Sequence, residues 1–300
     1  MKKLLLVSLL VLAMMLFVSG VASANGGPHG DYTATTDACA GCHRAHTATS
    51  NNLLMADSTY NLCVSCHGSS ATGANTNVDD GFYLSSRDDT TGDGNHGAAN
   101  TADNAPLLGG GFVNYKGAAV SSTHDPTGTT DQAWGAGGLR GQLGTISDAL
   151  DCASCHDPHG SPNYRIIKEE INGFTVSVSQ VDEGAAKDYD DQHWASDQSN
   201  VCGACHDPYQ HASAYPADST FTHPVDQTNK AAYNPPTYTD ANGDTVSVPL
   251  ASDYIVCQTC HLPHGTSATM SGYADGAGPA GDSALLRENN RGVCQACHKK

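Results

Sequence analysis

The sequence predicts a chain that is mostly irregular coil, with short helices and a few short strands, folded on bound groups rather than on its own apolar side chains. Three observations predict this. A five-residue pattern, Cys-x-x-Cys-His, occurs six times in 300 residues. It consumes all 12 cysteines. Beyond residue 24, only 35 of 276 residues are Leu, Ile, Val or Phe, about 13 per cent, and the net charge there is −19 once Lys2 and Lys3 are set aside. Such a composition cannot bury enough apolar surface to fold unaided.

The six copies are Cys39-Ala-Gly-Cys42-His43, Cys63-Val-Ser-Cys66-His67, Cys152-Ala-Ser-Cys155-His156, Cys202-Gly-Ala-Cys205-His206, Cys257-Gln-Thr-Cys260-His261 and Cys294-Gln-Ala-Cys297-His298. This is the attachment signature of c-type haem. The two thiols add across the porphyrin vinyl groups, and the adjacent His sits under the iron as proximal ligand. Zinc knuckles would not need a His after every second Cys. A disulfide framework would not confine its cysteines to this pattern. Six covalently attached haems, one per 46 residues beyond residue 24, also resolve the compositional conflict. The flat, largely apolar porphyrins supply a stacked core, and the polypeptide wraps it thinly.

Taken in order, residues 1–24 read as a secretory signal peptide. Lys2 and Lys3 form the charged start, residues 4–18 are apolar, and Ala22-Ser23-Ala24 is a small-residue cleavage site. The apolar run is short for a bilayer span. The mature chain, 25–300, should therefore lie outside the cytoplasm, at the cell surface, extracellular or in the periplasm.

The six motifs fall into three two-haem repeats, about 29–67, 124–206 and 223–298. The first motif of each pair is followed by a further His three residues on: His46, His159 and His264. An apolar couplet comes next, Leu53-Leu54, Ile166-Ile167 or Leu285-Leu286, and then the second motif. The CHxPHG run around His156 and His261, followed by a second CxxCH, resembles the doubled-CxxCH multihaem cytochromes c. The first repeat departs from it, with Arg44-Ala45-His46-Thr47 in place of Pro-His-Gly. The resemblance implies electron transfer through bis-His haems of low potential. Its wider set includes tetra-, hexa- and octahaem cytochromes of extracellular electron transfer, some of which polymerise into filaments with a continuous haem chain.

Nine of the 15 histidines remain for the sixth iron positions. An i+3 His points the same way as its proximal neighbour and cannot reach the far face of the same porphyrin. His46, His159 and His264 are therefore expected to ligate a different haem, most simply the partner in the same pair. His29, His124 and His223 lie upstream of the first, third and fifth motifs and are assigned to those haems. In filamentous relatives one haem takes its distal His from the next subunit, and His29 is the candidate for that role, with an intramolecular bond as the alternative. His96, His193 and His211 are left over, and His193 is the first substitute should one assignment fail.

The remaining segments carry weaker signals. Residues 68–149 read as long loops. Residues 174–178 alternate like a strand. Residues 237–248 read as a β-hairpin with an Asn-Gly turn. Asp240, Asn242 and Asp244 match the first ligands of a calcium loop, but the closing Glu is missing and a plain turn is the stronger reading. The acidic surface disfavours nucleic acid and suits basic redox partners or cations. Irons with two imidazoles have no place for substrate, so the chain reads as an electron carrier with no catalytic residues. It would serve an extracellular or outer-surface acceptor, alone or as a filament subunit. Two alternatives are a multihaem reductase with one open iron and a discrete periplasmic carrier.

Overall fold

The computed structural model describes residues 29, 39–69, 74, 76–83, 106–128, 150–179, 198–206, 223–228, 237–239, 245–248, 250, 253–272 and 283–298. Residues 1–24, His96, His193, His211 and the proposed turn at 240–244 lie outside them.

Among the described residues, regular structure is short and gathers at the CxxCH motifs. The α-helices are α1 (Thr59–His67), α2 (Cys152–Cys155), α3 (Gln198–Gly203), α4 (Cys257–Cys260) and α5 (Gly292–Cys297). The first motif forms a 3-10 turn, Cys39–Gly41. At three of these helices side-chain groups cap the N-terminus. Ser58 accepts from Asn61 N at 3.1 Å at the start of α1. At α2 and α4 the third residue reaches back instead: Ser154 Oγ accepts from Asp151 N at 3.0 Å, and Thr259 Oγ1 from Val256 N at 3.1 Å. No described helix is long and apolar enough to cross a membrane.

The strands come in two-stranded antiparallel pairs. Glu170–Ile171 pairs with Phe174–Thr175 across Asn172-Gly173, whose φ values of 51° and 77° are those of a tight hairpin turn. The alternation expected over 174–178 is present, with Val176 and Val178 buried and Thr175 and Ser177 exposed. Thr237–Thr239 pairs with Thr245–Ser247, as the hairpin reading requires. One pair joins distant parts of the chain: Ser122–Thr123 lies against Gly265–Thr266.

The stretch read as long loops, 68–149, contains a built element at 106–128. Gly109, Gly110 and Gly111 run directly against the loop at His264 and Gly265. His264 N donates to Gly109 O at 2.8 Å and Gly111 N to Gly265 O at 3.2 Å. Gly110 has φ +83°, and a Cβ there would overlap the Gly265 carbonyl oxygen. Only glycine satisfies both demands.

The buried apolar residues form small separate clusters. One joins Ile171, Val176 and Ala204 with Ile167, Phe174 and Val201. Another joins Val248, Val293 and Ala296 with Cys260 and Leu286. Each packs under a second CxxCH motif. Contiguous side-chain cores are the rule for domains of this length, so these satellites match the low apolar content.

Candidate haem-binding site

Each described motif closes one helical turn. The His N–H donates to the first Cys carbonyl at 2.8 Å for His43, 3.0 Å for His156, 2.8 Å for His206, 2.9 Å for His261 and 2.8 Å for His298. Residues three and four apart share a helix face, so both thiols and the imidazole of a motif project together.

The apolar couplet does more than pack. Its second residue bridges the proximal His as an antiparallel pair: His43 with Leu54, His156 with Ile167, His261 with Leu286. The two residues before the bridge are left-handed in every repeat, with φ of 59° and 59° at Asn52 and Leu53, 56° and 52° at Arg165 and Ile166, and 49° and 61° at Ala284 and Leu285. Left-handed non-glycine residues cost about 1–2 kcal/mol each. The strain aims one carbonyl at the ring. Nδ1–H of His43 donates to Asn52 O at 2.8 Å, that of His156 to Arg165 O at 2.9 Å, and that of His261 to Ala284 O at 2.8 Å. Such a bond fixes the tautomer and leaves Nε2 for a metal.

Five pairs of imidazoles face one another. Ring centroids are 6.0 Å apart for His29–His67, 6.1 Å for His43–His159 and 6.1 Å for His124–His206. They are 6.4 Å apart for His156–His264 and 6.3 Å for His223–His298. Each pair joins one CxxCH His to one His from outside the motifs. Interplanar angles run from 12° to 77°, so the separation is held while the ring orientation varies. Two imidazoles on opposite sides of one metal, each about 2.0–2.1 Å from it, would place their centroids about 6.3 Å apart. The residues present therefore fit an iron between each pair.

The partners differ from those expected. His159 and His264 do not face the second-motif His of their own pair. They face His43 and His156, the first proximal His of the preceding repeat. His29, His124 and His223 face the rings of His67, His206 and His298 rather than those of the first, third and fifth motifs. His29 thus faces an imidazole of its own chain. His46, expected opposite His67, faces no other imidazole among the described residues, and neither does His261.

Physical reasons lie in the connecting segments. The loop after the fifth motif is clamped to Gly109–Gly111 and to the strand before His124, which directs His264 backwards. The same loops orient the other distal rings: Nδ1–H of His29 donates to Pro158 O at 3.0 Å, and that of His124 to Pro263 O at 2.6 Å. One CHxPH loop thus serves two pairs of the preceding repeat, with the Pro carbonyl orienting one ring and the His supplying another.

The attachment cysteines follow one another in chain order. The Cys63 thiol lies beside that of Cys152, and that of Cys202 beside that of Cys257. Within the pairs, Cys42 feels Cys66 and Cys63, Cys155 feels Cys205 and Cys260 feels Cys294 and Cys297. In thioether form these contacts mark neighbouring attachment arms.

Burial pushes Cys155 up to about 11 and Cys260 up to about 12, away from the thiolate range of reactive or zinc-binding cysteines, while the neighbouring Cys63 and Cys202 thiols lower Cys152 and Cys257. Among the described residues no group of three or more His, Cys, Asp or Glu is placed to hold a metal as a zinc knuckle would. Burial also holds His124, His156 and His261 below the usual imidazole range, in the neutral form that binds metals. His264 is pushed down to about 3 for the same reason.

Comparison with curated proteins and with solved structures returns no match. Residues 31–72 and 146–174 match the family model described as the doubled CXXCH motif. With the paired imidazoles, that match makes the chain a bearer of the doubled CXXCH motif, the marker of multihaem c-type cytochromes that hold covalent haem c and transfer electrons.

Proposed function

We propose that this chain is an exported cytochrome with six haems that passes electrons along its length and joins head to tail with further copies. Bound haem supplies a one-electron iron couple, tuned by axial ligand and burial. Two imidazoles at each iron leave no substrate position, which favours conduction over bond chemistry. The sequential order of the attachment cysteines supports one continuous path from His43 to His298.

One observation carries the head-to-tail reading. Within the chain, each first-motif His is faced by the i+3 His of the next repeat: His43 by His159, His156 by His264. By that rule His261 requires a fourth repeat, and His46 requires one before the first. A second copy meets both needs, its His46 facing this chain's His261. The bridging ligand is then His46 rather than His29, whose ring is committed to His67.

Electron microscopy of haem-loaded protein from sheared cell surfaces tests this. Filaments are expected from the native chain and discrete particles from His46→Ala. Filaments that persist in His46→Ala would overturn the bridge. His261, facing no described imidazole, favours a second reading: a discrete subunit with one open iron, acting as a reductase. Carbon monoxide binding to one reduced haem in native particles that never assemble would select it. Capture of electrons from a periplasmic donor and delivery to an extracellular acceptor is the physiological role that the exported filament suits.

A further inference from the structure

The residue after the apolar couplet is Met55 in the first repeat, Lys168 in the second and Arg287 in the third. Its backbone is held identically in each. Met55 N donates to Cys42 O at 3.0 Å, Lys168 N to Cys155 O at 2.9 Å and Arg287 N to Cys260 O at 2.9 Å. One side chain per repeat is thereby placed beside the attachment turn of the first haem in the pair. The repeats keep this geometry and change the charge.

Arg287 is the most closely held. Its Nη2 donates to Gln258 O at 2.7 Å, inside the Cys257–His261 turn, and its Nε is buried. Its positive charge is felt at Cys260 and at His261. The adjacent Glu288 is matched by Lys116 at 3.5 Å, so the local sum stays positive. Tyr115, the other ionisable neighbour, is held neutral by burial. Lys168 is half-buried and its charge is felt at Cys155. Met55 is neutral and 41% exposed.

Resting on the haem reading above, we propose that Arg287 is a positioning residue for electron energy, raising the reduction potential of the haem held by Cys257, Cys260 and His261 above that of the haem held by Cys39, Cys42 and His43. Reduction adds one electron to the site and takes up no proton, so the site's charge falls by one unit. A fixed cation nearby stabilises the reduced form. The effect is larger for a buried cation than for an exposed one, since water and salt screen the latter. Lys168, half-buried as Arg287 is, acts in the same sense on the haem at His156. The path is therefore not level. Its higher-potential sites fall where a repeat carries a cation, and one of them stands at the end that would meet His46 of a second copy.

The test is a spectroelectrochemical titration of the haem-loaded native chain, Arg287→Met, Arg287→Lys and Met55→Lys at low and high salt. Haem number is counted separately by intact mass. In Arg287→Met one haem equivalent should move to lower potential while the others stay, and Arg287→Lys should restore most of the shift. Met55→Lys should move one haem equivalent to higher potential, by a smaller amount that shrinks with salt. Superimposable curves for native and Arg287→Met, at equal haem number and unchanged low-spin spectra, would overturn the proposal. So would an equal shift of all haems, which marks a general loosening. If Arg287→Met does not load its haems, Met55→Lys decides: no upward shift rejects the proposal. A native chain that carries no haem by mass would instead reject the reading beneath it.

Discussion

His159 faces His43 with ring centroids 6.1 Å apart and planes 12° from parallel, although the two belong to different repeats. The contact ties the first motif to the second repeat and makes the repeats interdependent. Replacing His159 by Ala should therefore change the haem at His43, not the haem at His206 that its own repeat carries next. One haem equivalent should turn high-spin and bind carbon monoxide once reduced. Retention of an all-low-spin spectrum at full haem number would sink the pairing.

The motifs, the short helices and the alternation over 174–178 were legible because each rests on local spacing. A turn that closes from Cys39 to His43 needs only the five residues of the motif. The identity of the distal partners was not legible. An i+3 spacing excludes a ligand's own haem but says nothing about which other haem it meets. For His264 that choice is made by Gly109, Gly110 and Gly111, whose only sequence signal is a run of three glycines inside a stretch that reads as loop. The couplets were visible as apolar pairs. Their left-handed backbone was not, since Leu53, Ile166 and Leu285 have no intrinsic preference for positive φ, and the Nδ1 bonds that the strain serves are tertiary.

His29 offers a contrast with His46. The ring of His29 is engaged within the chain, 6.0 Å from His67. His29→Ala should free one iron in every copy and leave filament formation intact. His46→Ala should do the reverse in isolated subunits, altering assembly while the five internal pairs keep their spectra. Loss of filaments in His29→Ala with normal haem spectra would reverse the two roles.

Gly110 and Gly117 separate steric fit from backbone freedom. Both have positive φ, +83° and +79°. A Cβ at Gly117 meets nothing within 4 Å, whereas one at Gly110 meets the Gly265 carbonyl and the Leu262 side chain. Gly117→Ala should cost about 1 kcal/mol from strain alone. Gly110→Ala should cost about 3 kcal/mol or more and displace His264 from His156, giving one high-spin haem. Thermal melts and spin state check both, and equal losses for the two variants would remove the close-approach argument.

Asp80 gives the chain an acid-sensitive joint away from the imidazoles. Burial alone would raise its carboxyl, but bonds from Asn114 Nδ2 at 2.7 Å and Asn77 Nδ2 at 2.8 Å outweigh it and hold the group below its ordinary range. A carboxyl depressed on folding stabilises the fold above its unfolded value, about 3.9, and loses that contribution as pH falls through the folded value. The three residues link the hairpin at Thr76–Asn77 to the strand at Asn114–Tyr115, and so support the Gly109–Gly111 segment that aims His264. Asp80→Asn should lower stability by about 1 kcal/mol at neutral pH, a value discounted for the group's exposure. The gap between native and variant should narrow once pH falls below the unfolded carboxyl value, about 3.9, as native Asp80 also becomes neutral. Melts of the two haem-loaded proteins between pH 7 and 3 measure it, and a gap that stays constant across that range would show that the carboxylate's charge plays no part.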